Sequence, residues 1–260
     1  MSAVTYTILS SLLFPLALPN ELFPLGSPLL GLVALVPLYL AFLRTRSARN
    51  AARLGILFGA LSTIISNYWL MFFQDYSLWT IGGTTLGYIG YNWVLAGFLW
   101  LATRTRPDYR PILFALVWTG YEYFKGIGFL GYPWGLAAYP LSPLLTISQL
   151  ASVTGVLGIS FLVAYANAAI AEALRGRNLR HPAFRHLAMV VALAGATLIF
   201  GATRMQSMPP SDESLRMVLV QQNANAWNIG DVSRPIKISQ DQTMDALRTT
   251  EDVDLVVWSE

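Results

Sequence analysis

The chain has 260 residues, of which 55% are apolar and 12% charged, against roughly 25% charged in an ordinary soluble domain. With a mean hydropathy of +0.50, a bilayer rather than water is the expected solvent for most of it. It contains no cysteine, which excludes disulfides, thiolate metal sites and a cysteine nucleophile within these residues.

The net charge of +3 hides a division near residue 202. Residues 1–201 hold 12 Lys/Arg and 5 Asp/Glu (net +7), whereas residues 202–260 hold 5 and 9 (net −4). Opposite signs imply two environments, a transmembrane domain over 1–201 and a second domain from 202. The basic residues form no patch interleaved with aromatics, so no nucleic-acid partner is expected.

Met1 to Val4 carry no positive charge and the apolar pattern runs on past them, so no cleaved leader is read here. A spanning helix needs about 20 mostly apolar residues. Breaks of charge, Pro and Gly delimit seven such segments, at 4–18, 23–43, 52–73, 80–102, 111–124, 145–174 and 185–201. Pro15, Pro19, Asn20, Glu21 and Pro24 divide the first two, a cluster expected to interrupt any single helix. Gly82, Gly83 and Gly87 lie within the fourth, where small residues permit close helix packing.

Arginines follow every second segment: Arg44, Arg46, Arg49 and Arg53, then Arg104, Arg106 and Arg110, then Arg175, Arg177, Arg180 and Arg185. These are 11 of the 17 basic residues, and the alternate loops before residue 202 hold only Lys125. Short cytoplasmic loops retain Lys/Arg, so the N-terminus is read as cytoplasmic and everything after residue 202 as lying across the membrane. In a bacterium that is an inner-membrane, multi-pass protein with a periplasmic or extracytoplasmic C-terminal domain.

From Ser214 the period changes. Leu215 to Val220 read as a strand buried on both faces, residues 233–249 as an amphipathic helix, and Leu255 to Trp258 as a second buried strand. Strand, helix, strand is the opening of an α/β domain. Two strands and one helix cannot make a full core, so the sequence is expected to be truncated within that domain.

Three groups of residues carry candidate chemistry. Glu122 lies in a membrane segment, where a carboxylate is costly and usually faces a cavity or partner. Lys125 shares its helical face and is a candidate ion-pair partner, and Gly131-Tyr132-Pro133-Trp134 follows. Residue types alone leave structural and functional roles for Glu122 open. Val220-Gln221-Gln222-Asn223 places amides just after a strand, where α/β folds put binding groups, though a capped strand end reads the same way. Trp258-Ser259-Glu260 puts a carboxylate at a strand's C-terminal edge beside an indole, an apolar neighbour suited to tuning a general base. His181 and His186 fall in an arginine-rich loop without acidic or thiol company and are read as loop residues; no metal site or cofactor is expected.

Taken in this order, the motifs resemble those of the bacterial apolipoprotein N-acyltransferases, which join a multi-span membrane part to a periplasmic nitrilase-like (carbon–nitrogen hydrolase, α-β-β-α sandwich) domain. The resemblance rests on Glu122 and Lys125, Gly131 to Trp134, Val220 to Asn223, and Trp258 to Glu260. It implies a phospholipid acyl donor, a diacylglyceryl apolipoprotein acceptor and a thioester acyl-enzyme formed by a cysteine thiolate. By position Glu260 matches the family's glutamate base, and Trp227 resembles a tryptophan near the mouth of its site. The family's lysine and cysteine lie downstream of that glutamate, so the 260 residues are expected to be an inactive N-terminal fragment. Two other readings stay open: a membrane-tethered nitrilase-like amidase, and a non-catalytic membrane protein that binds lipid or lipoprotein.

Overall fold

The computed structural model describes residues 1–72, 77–128, 131–176, 182–207, 214–223 and 233–259. It divides into two compact units, Met1–Ser207 and Met208–Glu260.

The first unit is helical. Its elements are α1 (Ala3–Ala17), α2 (Pro28–Gly31), α3 (Val36–Arg44), α4 (Ala48–Ser66), α5 (Ser77–Arg104), α6 (Arg110–Lys125), α7 (Leu145–Ser148), α8 (Ala151–Arg175) and α9 (Pro182–Gln206), with 3-10 turns at Tyr68–Phe72 and Tyr139–Leu141. Among the described residues, two stretches, Ala151–Arg175 and Ala183–Gln206, are long and apolar enough to cross a membrane by themselves. Serines start three of the helices: Ser2 Oγ accepts from Thr5 N at 3.1 Å, Ser27 Oγ from Leu30 N at 3.4 Å and Ser47 Oγ from Asn50 N at 3.3 Å. Arg44, Arg104, Lys125 and Arg175 stand in the last turns of α3, α5, α6 and α8, where positive charge opposes the helix dipole.

The helices depart from the expected segments in three places. Pro15 does not interrupt α1 but sits inside it, and the helix ends after Ala17. There Asn20 Nδ2 donates to the carbonyls of Leu16 and Leu18 at 3.0 and 2.6 Å, taking over acceptors that the helix end leaves free. The second segment is not one helix, because residues 32–35 separate α2 from α3. Asn167 of α8, fully buried, closes that gap. Its Oδ1 accepts from Leu35 N and Val36 N at 2.8 and 3.1 Å, while Nδ2 donates to Gly31 O and Val163 O at 2.9 and 2.8 Å. The sixth segment is broken as well, into α7 and an α8 kinked at Gly155, whose φ of 64° is open to glycine at no steric cost.

Helix packing puts glycine to a use other than the one expected. A Cβ at Gly82, Gly83 or Gly87 would meet nothing within 4 Å. Gly87 and Gly90 instead line an apolar furrow of about 740 Å³ between α5 and α6. The tight seam lies between α4 and α5, where a Cβ on Gly55 would fall 2.3 Å from Asn92 O and one on Gly59 2.8 Å from Asn92 Cβ. Around it, Trp118, Tyr39, Phe42 and Phe114 are fully buried, with Tyr39 and Phe114 edge to face at 5.0 Å.

A polar belt ties together the helix ends that carry arginine. Arg104 donates to Phe42 O and Leu43 O at 2.7 and 3.0 Å, capping α3 from α5. Glu172, 1% exposed, accepts from Tyr39 Oη at 2.7 Å and from Arg110 at 3.2 Å, with Arg175 at 3.5 Å. His186 is no loop residue: it is buried in α9, with Nδ1 2.8 Å from Tyr165 Oη. His181 lies outside the described residues.

The second unit holds β1 (Met217–Val220), α10 (Ser233–Thr249) and β2 (Leu255–Trp258). The strands pair in parallel, with Met217 opposite Leu255 and Val220 opposite Trp258, the strand-helix-strand order expected. The strands are not buried on both faces, since Leu219 is 75% and Val257 41% exposed. One helix cannot cover two faces of a sheet.

Replacing Asn167 by Ala strands the Leu35 amide and the Gly31 carbonyl in a dry interior and leaves the Val36 amide only its bond to Val33 O at 3.1 Å, at a cost of about 2–4 kcal/mol. The Asn167→Ala protein in detergent is expected to melt several degrees below wild type, whereas Asn50→Ala, on an exposed turn, melts with it. Equal midpoints for Asn167→Ala and wild type would refute this account of the helix break.

Candidate functional site

Glu122 stands in the last turn of α6 and is 1% exposed. Its Oε1 accepts from Trp118 Nε1 at 2.8 Å, one helical turn back, and from Ala137 N at 2.7 Å, in the chain beyond the Gly131 to Trp134 motif. A buried carboxylate is costly unless hydrogen-bonded, and here the bonds join two separate segments. Ser160 of α8 assists by accepting from Ala138 N at 3.2 Å.

The candidate Glu122–Lys125 ion pair does not form, for no ion pair within 4.0 Å involves either group among the described residues. The lysine faces elsewhere. Lys125 Nζ donates to Gly135 O at 3.2 Å and lies 5.6 and 5.5 Å from the ring centres of Tyr88 and Tyr121. Trp118 and Ala137 hold Oε1 of the carboxylate, and the tyrosine faces offer the cation a partly compensating seat.

Carboxylate and ammonium thus clamp one loop from the same helix end. Tyr132 completes the clamp: its N–H donates to Lys125 O at 2.8 Å, its hydroxyl to Asn67 Oδ1 at 3.1 Å, and its carbonyl accepts from Tyr88 Oη at 3.0 Å. Tyr139 Oη donates to Pro133 O at 2.8 Å. Gly135, at φ +66°, lets the loop turn immediately after Trp134. The result is a fixed platform on which Trp134, 56% exposed, stacks on Tyr132 at 5.6 Å and meets Trp69 at 6.1 Å. Beside it opens a cavity of about 610 Å³.

In the second unit, parallel pairing carries the two strand-end motifs to one sheet edge. Ser259 N donates to Val220 O at 3.0 Å, and Ser259 Oγ donates to Gln222 Oε1. Gln221 and Asn223 are exposed there, with Asn223 at φ 44° turning the chain out of β1. Trp258 points its Nε1 to Thr243 Oγ1 of α10 at 2.8 Å. Glu260 and Trp227 lie outside the described residues. Among the described residues no group of three metal-ligating side chains occurs.

Sequence reasoning did not single out Asn67, Tyr88, Ala137 or Ser160. A polar side chain inside an apolar segment was the available signal for Asn67 and Ser160; Ala137 acts through its backbone and leaves none.

Removing the Glu122 acceptor leaves two buried N–H donors unmatched, so Glu122→Ala is expected to cost about 3 kcal/mol or more. Glu122→Gln retains an acceptor at Oε1 and is expected to lose less than half of that. Thermal melts of the detergent-solubilised variants, followed by tryptophan fluorescence, compare them. Equal losses would show that the carboxylate oxygen is not what holds the loop.

Comparison with known proteins matches residues 10–169 to the family described as apolipoprotein N-acyltransferase N-terminal domain. The chain is 34% identical to apolipoprotein N-acyltransferase 2 of Treponema pallidum, over 96% of this chain and 49% of that protein. It is 33% identical to apolipoprotein N-acyltransferase 2 of Treponema denticola, over 97% and 50% respectively. Identity to the apolipoprotein N-acyltransferase of Borreliella burgdorferi is 30%, over 96% and 48%. The chain spans about half the length of the curated relatives it matches. A helical unit whose matched region includes the Glu122 clamp and the Trp134 platform therefore belongs to the apolipoprotein N-acyltransferase family.

Proposed function

We propose that the protein N-acylates lipoproteins, moving an acyl chain from a membrane phospholipid to the free amine of an N-terminal diacylglyceryl-cysteine. What carries this reading is that the likeness to the three relatives runs over at least 96% of the chain, through the helical unit and on into the strand unit.

The chemistry divides into two balanced steps. A thiolate attacks the phospholipid ester carbonyl, a carbon–sulfur bond forms, the carbon–oxygen bond to glycerol breaks, and the lysophospholipid oxygen takes up a proton. The acceptor amine then attacks the thioester, a carbon–nitrogen bond forms, the carbon–sulfur bond breaks, and the proton lost from the nitrogen returns to the leaving thiolate. This chain contains no cysteine and supplies no thiol; in this reading the thiol and an oxyanion-stabilising lysine belong to the other half of the length seen in the relatives. Glu260 is the base that takes the thiol proton. Gln221 and Asn223, at the edge where β1 and β2 end, are its site-lining residues, and Trp227 is assigned the same role by its resemblance to the family's tryptophan. Glu122, Lys125, Pro133 and Trp134 are the motif of the membrane domain.

The same reading places seven spans in the bacterial inner membrane, with the N-terminus cytoplasmic and the strand unit, the start of a nitrilase-like domain, outside. The polar belt supports it, because Arg104, Arg110 and Arg175 assemble on the ends of α3, α6 and α8. Arginine-rich ends facing the cytoplasm obey the charge asymmetry of short loops.

The full-length protein, produced in cells depleted of their own N-acyltransferase, is expected to restore triacylated lipoprotein, read as the mass of one acyl chain on the N-terminal peptide. Glu260→Gln is expected to lower that rate at least about 100-fold. A wild-type protein that yields only diacylated peptide sinks the reading and leaves the amidase or the non-catalytic binder.

A further inference from the structure

Behind the Trp134 platform, between α4, α5 and α6, lies a second cavity of about 30 Å³. That is room for one or two waters, at roughly 10–15 Å³ of such space each, and far below the volume of a lipid or metabolite site. Polar side chains reach it from all three helices: Ser62 of α4 and Asn67 just past its end, Tyr88 and Asn92 of α5, and Tyr121 and Lys125 of α6.

Two of these side chains bring unspent hydrogen-bonding capacity. Asn92 is 3% exposed. Its Nδ2 donates to Tyr88 O at 2.9 Å and reaches Tyr121 Oη at 3.4 Å. A carbonyl accepts only from the nitrogen of the amide, so this bond fixes which way the amide is turned. Oδ1 then has no donor among the described residues. A buried amide oxygen is costly to leave unpaired, and proteins supply such groups with a donor of their own or with an ordered water. Lys125, also buried, carries three N–H donors. It gives one to Gly135 O and faces the rings of Tyr88 and Tyr121, the two residues that also hold the Asn92 amide. An orphan acceptor and spare donors thus border one small space. Whatever joins them must accept from an ammonium and donate to a carbonyl. A metal cation cannot accept and a halide cannot donate, whereas water does both. Ser62 Oγ, whose own proton goes to Phe58 O, keeps a lone pair for the second hydrogen of that water.

We infer that this cavity is a water site in which internal water accepts from Lys125 Nζ and donates to Asn92 Oδ1, fastening the clamp on the Trp134 loop to the seam between α4 and α5. Gly55 and Gly59 pack against Asn92, so the water relays the position of that seam to Lys125 and, through Gly135 O, to the loop. It also gives the ammonium a second full hydrogen bond without a carboxylate. The site is independent of the reaction that the full-length protein performs.

The test is the structure of the full-length protein by electron cryomicroscopy, at a resolution that shows ordered water. The expected result is density joining Lys125 Nζ to Asn92 Oδ1 through contacts of about 2.7–3.2 Å. A cavity without density, or an Asn92 side chain bonded directly to Lys125, overturns the inference. Hydrogen exchange of the protein in detergent reads the mechanical link separately. Asn92→Leu, which fills the space and removes the acceptor, is expected to speed exchange in residues 131–138 about tenfold. Residues 32–38, held by Asn167, are expected to keep their wild-type rates. Asn92→Asp keeps an acceptor toward the lysine, and exchange in 131–138 is expected to stay within about twofold of wild type. Unchanged exchange in Asn92→Leu, or an equal rise in both segments, would show that no link runs from Asn92 to the loop and overturns the inference as well.

Discussion

A backbone amide or carbonyl buried away from water must find a partner within the protein, and helices normally supply it themselves. This structure interrupts its helices repeatedly, and at three of the breaks a side chain meets the requirement. Asn167 reaches from α8 to the gap between α2 and α3. Arg104 reaches from α5 to the end of α3, and Asn20 folds back on α1. The helix breaks are thus also the points at which distant segments are tied, and the arrangement of the helical unit follows from where those ties are made.

The Glu122 clamp is the same device turned to another purpose. Its carboxylate takes an amide from a loop rather than from a broken helix. Its neighbour Lys125 turns to a carbonyl of that loop instead of to the carboxylate. Two opposite charges three residues apart would have satisfied each other and held nothing else. Separated, each fixes a different atom of the segment that follows Trp134, and the indole is displayed without being buried.

How much of this the sequence discloses depends on the range of the interaction. Apolar segments between arginine-rich breaks mark where helices lie, because the preference for an apolar surrounding is a property of each residue. The change of period after Ser214 likewise marks β1, α10 and β2. The gap after Gly31 is hidden, since the residue that makes it affordable, Asn167, lies more than 130 positions away. The Glu122–Lys125 spacing is a true helical neighbourhood, yet a competing backbone amide from Ala137 decides the pairing. His186 sits among arginines in the chain but against Tyr165 in space. Glycine misleads for the same reason: Gly55 and Gly59 earn their place only through Asn92 on another helix.

That glycine seam has a mechanical consequence. Where Gly55 and Gly59 of α4 meet α5, they lie against the backbone of Tyr88 and Asn92 and the short side chains of Asn92 and Ala96, with no long side chain at the contact to swing aside. Close-packed interiors are nearly incompressible and pass displacement on. A push on α5 is therefore delivered to α4 as translation, not absorbed as rotamer change, and the two helices behave as one stiff beam. Asn67, which receives the Tyr132 hydroxyl, is mounted at one end of that beam, and Arg104, which caps α3, at the other end of the pair.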